Sequence, residues 1–98
     1  MKKLINDTEN YILDICTKFN FKIIIKYIYN IKYNYLKNND IILLFNIFYN
    51  DYNYEYCLKI LDNNLVINIK LKNNTLQTIT VNDKCDFKKL LKIMISDK

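Results

Sequence analysis

The fold is decided by residues 41–82, which read IILLFNIFYNDYNYEYCLKILDNNLVINIKLKNNTLQTITVN. Four apolar runs, at 41–49, 54–61, 65–72 and 76–82, are separated by asparagine-rich segments. The chain has no glycine. Asparagine, which tolerates a left-handed backbone better than most residues, is therefore left to form the tight turns. This pattern predicts four strands joined by short turns, as in an antiparallel meander.

The separators also predict a strand register. We interpret them as a three-residue loop at 37–39, a four-residue loop at 50–53, a two-residue turn at 63–64 and a three-residue loop at 73–75. This register sets Ile60 opposite Ile67. It also sets Phe45 opposite Leu58 on one side and Ile31 on the other. All strong apolar series then share one face of the sheet, whereas a slip of one residue would scatter them over both faces.

A fifth strand is predicted over residues 21–36. Every odd-numbered position from Phe21 to Tyr35 is apolar or aromatic, and this alternation is typical of a strand. Its length predicts a bulge or break near Asn30. The competing interpretation is a helix, because one helical face would carry Ile24, Ile28, Ile31 and Tyr35. That alternative gives two N-terminal helices, a four-stranded meander and a C-terminal helix.

Both ends of the chain have helical periodicity. Residues 8–19 are predicted to form a helix capped by Asp7 or Thr8, with Leu4 and Ile5 extending its apolar face. A second helix follows Asp86, capped by Asp83 or Asp86. Its apolar stripe consists of Phe87, Leu90, Leu91, Met94 and Ile95. The prediction is one compact α+β domain over 1–98: an N-terminal helix, a five-stranded antiparallel meander sheet and a C-terminal helix, in two layers.

The composition argues against catalysis. The chain has no histidine, arginine or glycine and a single serine, so histidine-assisted nucleophiles and glycine-rich phosphate loops are impossible within it. Cys16, Cys57 and Cys85 are too far apart in sequence for a zinc motif and are expected to be free thiols. We therefore expect no enzyme activity, no metal and no cofactor.

The same composition bears on localisation and source. The longest apolar run, Ile41 to Phe45, is too short to span a membrane, so we expect no membrane insertion and an intracellular, cytoplasmic protein. Lysine, asparagine, isoleucine and tyrosine, which AT-rich codons encode, dominate the chain. This bias favours an AT-rich genome such as that of a virus, phage or mobile element, in which case the location is the host cytoplasm.

The face of the sheet away from the apolar series is the predicted interaction surface. One row across it holds Asn30, Asn46, Cys57, Lys70 and Thr78, and the next holds Lys32, Leu44, Lys59, Asn68 and Thr80. The residues predicted to contact a partner are Ile28, Ile42, Leu44, Phe48, Tyr52, Leu61 and Val66. Clustered apolar residues with a lysine rim indicate a protein partner or a homodimer.

Two other interpretations of this face remain open. A net charge of +5 is compatible with a single-stranded nucleic-acid binder. Its phosphate contacts would be Lys32, Lys59, Lys70 and Lys72, with Phe48 stacking on a base. The face is otherwise an ordinary solvated surface on which lysine only increases solubility.

Overall fold

The structure is a computed structural model and describes residues 1–29 and 36–96. The elements in chain order are α1 (Lys2–Lys18), β1 (Lys22–Ile28), β2 (Ile41–Tyr49), β3 (Tyr52–Leu61), β4 (Asn64–Leu71), β5 (Asn74–Thr80), a 3₁₀ turn (Lys84–Asp86) and α2 (Phe87–Ser96). The strands form one antiparallel sheet in the order β1-β2-β3-β4-β5. The predicted α+β fold is confirmed, and the alternative with a second N-terminal helix is wrong because Lys22–Ile28 is a strand.

Helix α1 begins earlier than predicted. It starts at Lys2 with Met1 as its N-cap, so Asp7 and Thr8 lie inside the helix and not at its cap. The physical reason is packing, since Ile5 and Thr8 are both fully buried and the buried face outweighs the local capping signal.

The three hairpin turns each contain two residues. Both central residues of each have positive φ: 49° and 66° at Asn50 and Asp51, 50° and 63° at Asp62 and Asn63, and 52° and 67° at Lys72 and Asn73. Two left-handed residues make a type I′ turn, whose twist matches that of the flanking strands. The predicted loops of four and three residues are therefore wrong, and the predicted turn at 63–64 lies one residue earlier.

Shorter turns at 50–51 and 72–73, and the earlier position of the two-residue turn at 62–63, each move the register by two residues. Phe45 lies opposite Tyr56 and not Leu58, and Ile60 lies opposite Leu65 and not Ile67. Because side chains alternate with a period of two, this shift leaves the regular stretches 43–49, 54–61 and 65–71 on their predicted faces. Those stretches have the predicted faces although their cross-strand pairs differ.

The pairing of β1 departs further from the prediction. Ile25, and not Ile31, lies opposite Phe45, so β1 is displaced by six residues from the predicted hairpin. A bulge lies between Ile25 and Tyr27, whereas the bulge predicted near Asn30, like the strand predicted across 30–35, falls outside the described residues.

The core lies between the sheet and both helices. At its centre the Phe45 and Tyr56 rings stack 5.0 Å apart, and the Phe87 ring meets Tyr56 edge-on at 5.4 Å. Helix α1 contributes Ile12 and Cys16 to the same cluster. The sheet face covered by the helices is called the inner face below, and the opposite one the outer face. Of the stripe predicted for α2, Phe87, Leu90, Leu91 and Met94 are buried, whereas Ile95 is exposed.

A reciprocal hydrogen-bonded cap lies at the 3₁₀ turn directly before α2. Asp83 Oδ1 accepts a hydrogen bond from the Cys85 N–H at 2.8 Å, and Asp86 Oδ2 accepts from the Asp83 N–H at 3.0 Å. Both carboxylates predicted as caps therefore take part. Asp86 Oδ2 also accepts from the Asn82 N–H at 2.8 Å, which fixes the direction in which the chain enters α2.

Candidate interaction surface

The outer face is built from the strand residues that alternate with the core residues. Two of its cross-strand rows are Ile24–Asn46–Glu55–Lys70–Thr75 and Tyr27–Leu44–Cys57–Asn68–Thr78. The predicted rows contained most of these residues in pairings displaced by two positions, for the reason given above. Both described helices lie on the inner face, so within ranges 1–29 and 36–96 no second layer covers the outer face.

Exposed apolar side chains gather at the β1 side of the outer face. Tyr27 lies opposite Leu44, with Ile24 next to Tyr27 on this face because of the β1 bulge. Ile41 is the next outer-face position of β2. Ile24, Tyr27 and Ile41 are exposed and Leu44 is half-buried. We call these four residues the apolar patch.

The structure places four of the predicted contact residues on the outer face. Leu44 is in the apolar patch, and Phe48 is half-buried beneath the Lys22 ammonium, which lies 5.3 Å from its ring centroid. Leu61 is half-buried opposite Asn64. Val66 is on this face but buried, so it supports the surface from below.

The other three predicted contact residues lie elsewhere. Ile42 is fully buried in the core, because an irregularity between Ile41 and Leu43 turns it inward. Ile28 is exposed but pairs with the inner-face residue Leu43, because the β1 bulge reverses its side. Tyr52 is exposed at a hairpin end and packs edge-on with inner-face Tyr54. The predicted outer-face positions of Ile28 and Ile42 are therefore wrong, whereas Tyr52, predicted as an exposed contact at a hairpin tip, is exposed there.

Lysines dominate the charge of this face. Glu55 is the only acidic residue in the five described strands, which also hold Lys22, Lys26, Lys59 and Lys70. Lys26 Nζ lies 3.6 Å from the Glu55 carboxylate, an exposed ion pair that contributes at most about 1 kcal/mol to stability. The surplus positive charge favours a partner with acidic groups.

A polar groove crosses the same face. It has a volume of about 300 Å³ and is lined by Lys26, Asn46, Asn53, Glu55, Lys70, Lys72 and Asn73. Asn46 Nδ2 donates a hydrogen bond to Asn53 Oδ1 across the β2–β3 pair. Of the four lysines predicted to contact phosphate, Lys70 and Lys72 lie in this groove, Lys59 lies opposite Val66, and Lys32 is outside the described residues.

Buried amides lie beneath the groove and beside it. Asn46 and Asn68 are buried, and the Oδ1 atom of each has no hydrogen-bond partner in the described structure. A buried acceptor without a partner costs about 1–3 kcal/mol. Stability alone does not account for asparagine at these two strand positions.

Two of the three thiols, Cys16 and Cys57, are not activated. Burial raises the pKa of Cys57, with Lys59 and Lys70 acting in the opposite direction and Glu55 in the same one. Burial raises the pKa of Cys16 to about 11. Both thiols are protonated at neutral pH, and a protonated thiol is a poor nucleophile.

The described residues contain neither a cluster of metal-ligating side chains nor a membrane-spanning helix. No three histidine, cysteine or acidic side chains within them lie close enough to hold a metal ion. No helix in ranges 1–29 and 36–96 has the length and apolar character needed to cross a membrane. Comparison of the chain with protein-family models, curated proteins and solved structures gave no significant match.

The sequence did not identify Ile24, Ile41, Lys22 and Lys26 as candidate site residues, and the odd-numbered apolar series from Phe21 to Tyr35 placed Tyr27 on the core face. The alternation of side chains along the strands includes all five residues. Their grouping on the outer face, however, depends on how β1 is aligned with β2. That alignment was predicted six residues out of register.

Proposed function

We propose that the protein is a small non-catalytic binding module that contacts a partner protein through the outer face of its sheet. Such a module acts as an inhibitor or an accessory subunit, and the codon bias suits a virus, phage or other AT-rich genome. The observation that carries the proposal is the apolar patch, which adjoins a lysine-rich groove on a face that neither helix covers.

The chemistry of the face defines the partner surface. Exposed Tyr27 and Ile41 offer apolar area of the kind found at the centre of interfaces. The surrounding lysines increase the rate of encounter with an acidic surface and disfavour basic ones. A stable complex buries roughly 800 Å² on each side, an area that requires both the patch and its rim.

The test is partner capture with matched variants. Ile41 in the patch and Leu13 on α1 are both 40% exposed, so Ile41→Lys and Leu13→Lys make the same change to charge and side-chain size at two different surfaces. We expect Ile41→Lys and Leu44→Lys to abolish capture of a partner from cells that express the gene. Leu13→Lys should retain it.

Circular dichroism and urea unfolding verify that each variant is folded, and light scattering separates a homodimer from a complex with a different protein. Equal capture by Ile41→Lys, Leu44→Lys and wild type would refute an outer-face interface.

Single-stranded nucleic acid is the second candidate, and the groove is the observation that favours it. Lys70 and Lys72 line it together with three asparagines, and both residue types contact phosphate and bases. The Glu55 carboxylate in the same groove repels phosphate, and we therefore place this candidate second.

Ionic strength separates the two candidates. Phosphate contacts predict that affinity for a labelled oligonucleotide falls steeply with added salt and that Lys70→Glu with Lys72→Glu removes binding. Lys88→Glu with Lys92→Glu, the same charge change on exposed positions of α2, is the control. No binding by wild type at low salt eliminates this candidate.

A further inference from the structure

Strand β1 exposes apolar side chains on both faces of the sheet. Ile24 and Tyr27 are 45% and 46% exposed on the outer side, and Ile25 and Ile28 are 38% and 59% exposed on the inner side. A partner lying flat on the outer face reaches only one of these two sets. A strand added alongside β1 contacts both sets, because its own side chains alternate between the two faces.

Within the described residues, the outer edge of β1 lacks the protection that edge strands usually have. Lysine on an edge strand normally blocks pairing with another chain. Here Lys26 leans across β2 to Glu55 on β3, with 3.6 Å between Nζ and the carboxylate, and Lys22 leans over the Phe48 ring of β2. Both ammonium groups lie over the sheet, so neither of these two lysines blocks the edge, and both keep it positively charged.

The opposite edge of the sheet is different. Strand β5, Asn74–Thr80, has the sequence NTLQTIT, which is rich in threonine. Strand β1 has the sequence KIIIKYI, which is rich in isoleucine. Leu76 is its one exposed large apolar residue. A partner strand gains more apolar burial at β1 than at β5.

We propose that β1 pairs edge to edge with an extended segment of the partner protein in which acidic and apolar residues alternate. This inference rests on the protein-binding function proposed above and names the partner's recognition element. On the inner side, Ile23, Ile25 and Ile28 require apolar neighbours. On the outer side, Lys22 and Lys26 favour acidic neighbours, and the methylene groups of glutamate also pack on Ile24 and Tyr27.

Charge decides between a partner segment and a second copy of the chain. Neither β1 nor β2 contains an acidic residue, and each copy has a net charge of +5. Self-pairing of β1 brings two further lysines to the same short ladder, and like charges across a strand pair are destabilising. An acidic segment reverses the sign of that interaction.

The probe is a synthetic peptide of about eight residues that alternates glutamate with valine and carries blocked ends, a length typical of one strand. We expect it to bind the full chain in a fluorescence anisotropy titration. Amide hydrogen exchange in 22–28 should slow about tenfold or more when the peptide is bound, because pairing occupies the outward backbone groups.

Three comparisons test the mode of binding. The same peptide N-methylated at alternate residues should lose at least about tenfold in affinity, since it can no longer form the ladder. Lys22→Glu with Lys26→Glu should weaken binding of the acidic peptide and favour a lysine–valine peptide. Lys88→Glu with Lys92→Glu, an equal charge change on α2, should stay within about twofold of wild type.

Several outcomes would overturn the proposal: equal binding of the N-methylated peptide, slowed exchange in β3–β5 with none in β1, or a dimer formed through β1 without peptide binding. These are distinguishable from a failure of the proposed function. If capture of the partner depends on Ile41 and Leu44 but the peptide leaves β1 unprotected, the outer face is the interface and strand pairing is wrong.

Discussion

The two faces of the sheet are made by alternate residues of the same strands, and they differ in burial and in how well their polar atoms are paired. On the inner face of β2, Phe45 and Ile47 are fully buried among aromatic and aliphatic neighbours. On the outer face of the same strand, Asn46 is buried with an unpartnered oxygen and Phe48 lies under a lysine. Stability is therefore concentrated on the inner face, which leaves the composition of the outer face free to serve binding.

The largest expected effect on stability comes from removing a phenylalanine ring on the inner side of the sheet, and the comparison is the same change on the outer face. Phe87 is fully buried against Phe45 and Tyr56, so Phe87→Ala should lower the free energy of unfolding by about 3–5 kcal/mol. Phe48→Ala on the outer face should cost less than about 1.5 kcal/mol, because that ring is only half-buried. Urea denaturation measures both, and similar losses would show that the two faces contribute equally.

A smaller effect on stability is expected at Asp86, in the cap that precedes α2. Hydrogen bonds from the Asn82 and then the Asp83 backbone N–H, with a further contribution from Lys89, hold the pKa of Asp86 below its usual value, against a weaker opposing effect of desolvation. A lowered pKa in the folded state adds stability above the unfolded pKa near 3.8, and that stability is lost as the pH falls through the folded value.

The variant Asp86→Ala, which removes the acceptor of both N–H groups, should be about 1 kcal/mol less stable than wild type at pH 7, a typical capping loss. Its unfolding free energy should also fall less steeply between pH 5 and pH 2, in urea titrations at a series of pH values. A profile parallel to that of wild type would show that the Asp86 cap is not responsible.

The third effect is similar in size to the second, but it has the opposite sign and concerns the outer face. Asn68 is buried on a central strand, with an oxygen that lacks a partner in the described structure. Asn68→Val should therefore raise the free energy of unfolding by about 1 kcal/mol, because a β-branched apolar side chain fits this position better. Its exposed cross-strand neighbour Thr78 provides the control, and Thr78→Val should change stability by less than about 0.5 kcal/mol.

If Asn68→Val is more stable but captures less partner, the asparagine at this outer-face position lowers stability and contributes to recognition. A loss of stability would instead mean that the Asn68 amide makes a favourable interaction, and the two faces would then differ less than proposed.

The sequence was sufficient for the element order and for most inner-face positions. Tyr54, Tyr56, Leu58 and Ile60 alternate strictly, and all four are buried as predicted. Much of the candidate site followed from the same pattern, including Leu44, Phe48 and the lysines at 59 and 70. Ile42 and Ile28 were assigned to the wrong side, because a bulge interrupts the alternation and its position depends on the neighbouring strand.

The sequence by itself determined which side chains face the helices in the regular strands, because that choice depends on a local period of two and survives a register shift of two residues. It also determined that asparagine and its neighbours would form the turns of a chain without glycine. The tertiary structure alone decided the turn lengths, the bulges and the alignment of β1, which depend on pairing between distant segments. Those long-range choices created the open, positively charged edge on which the proposed recognition rests.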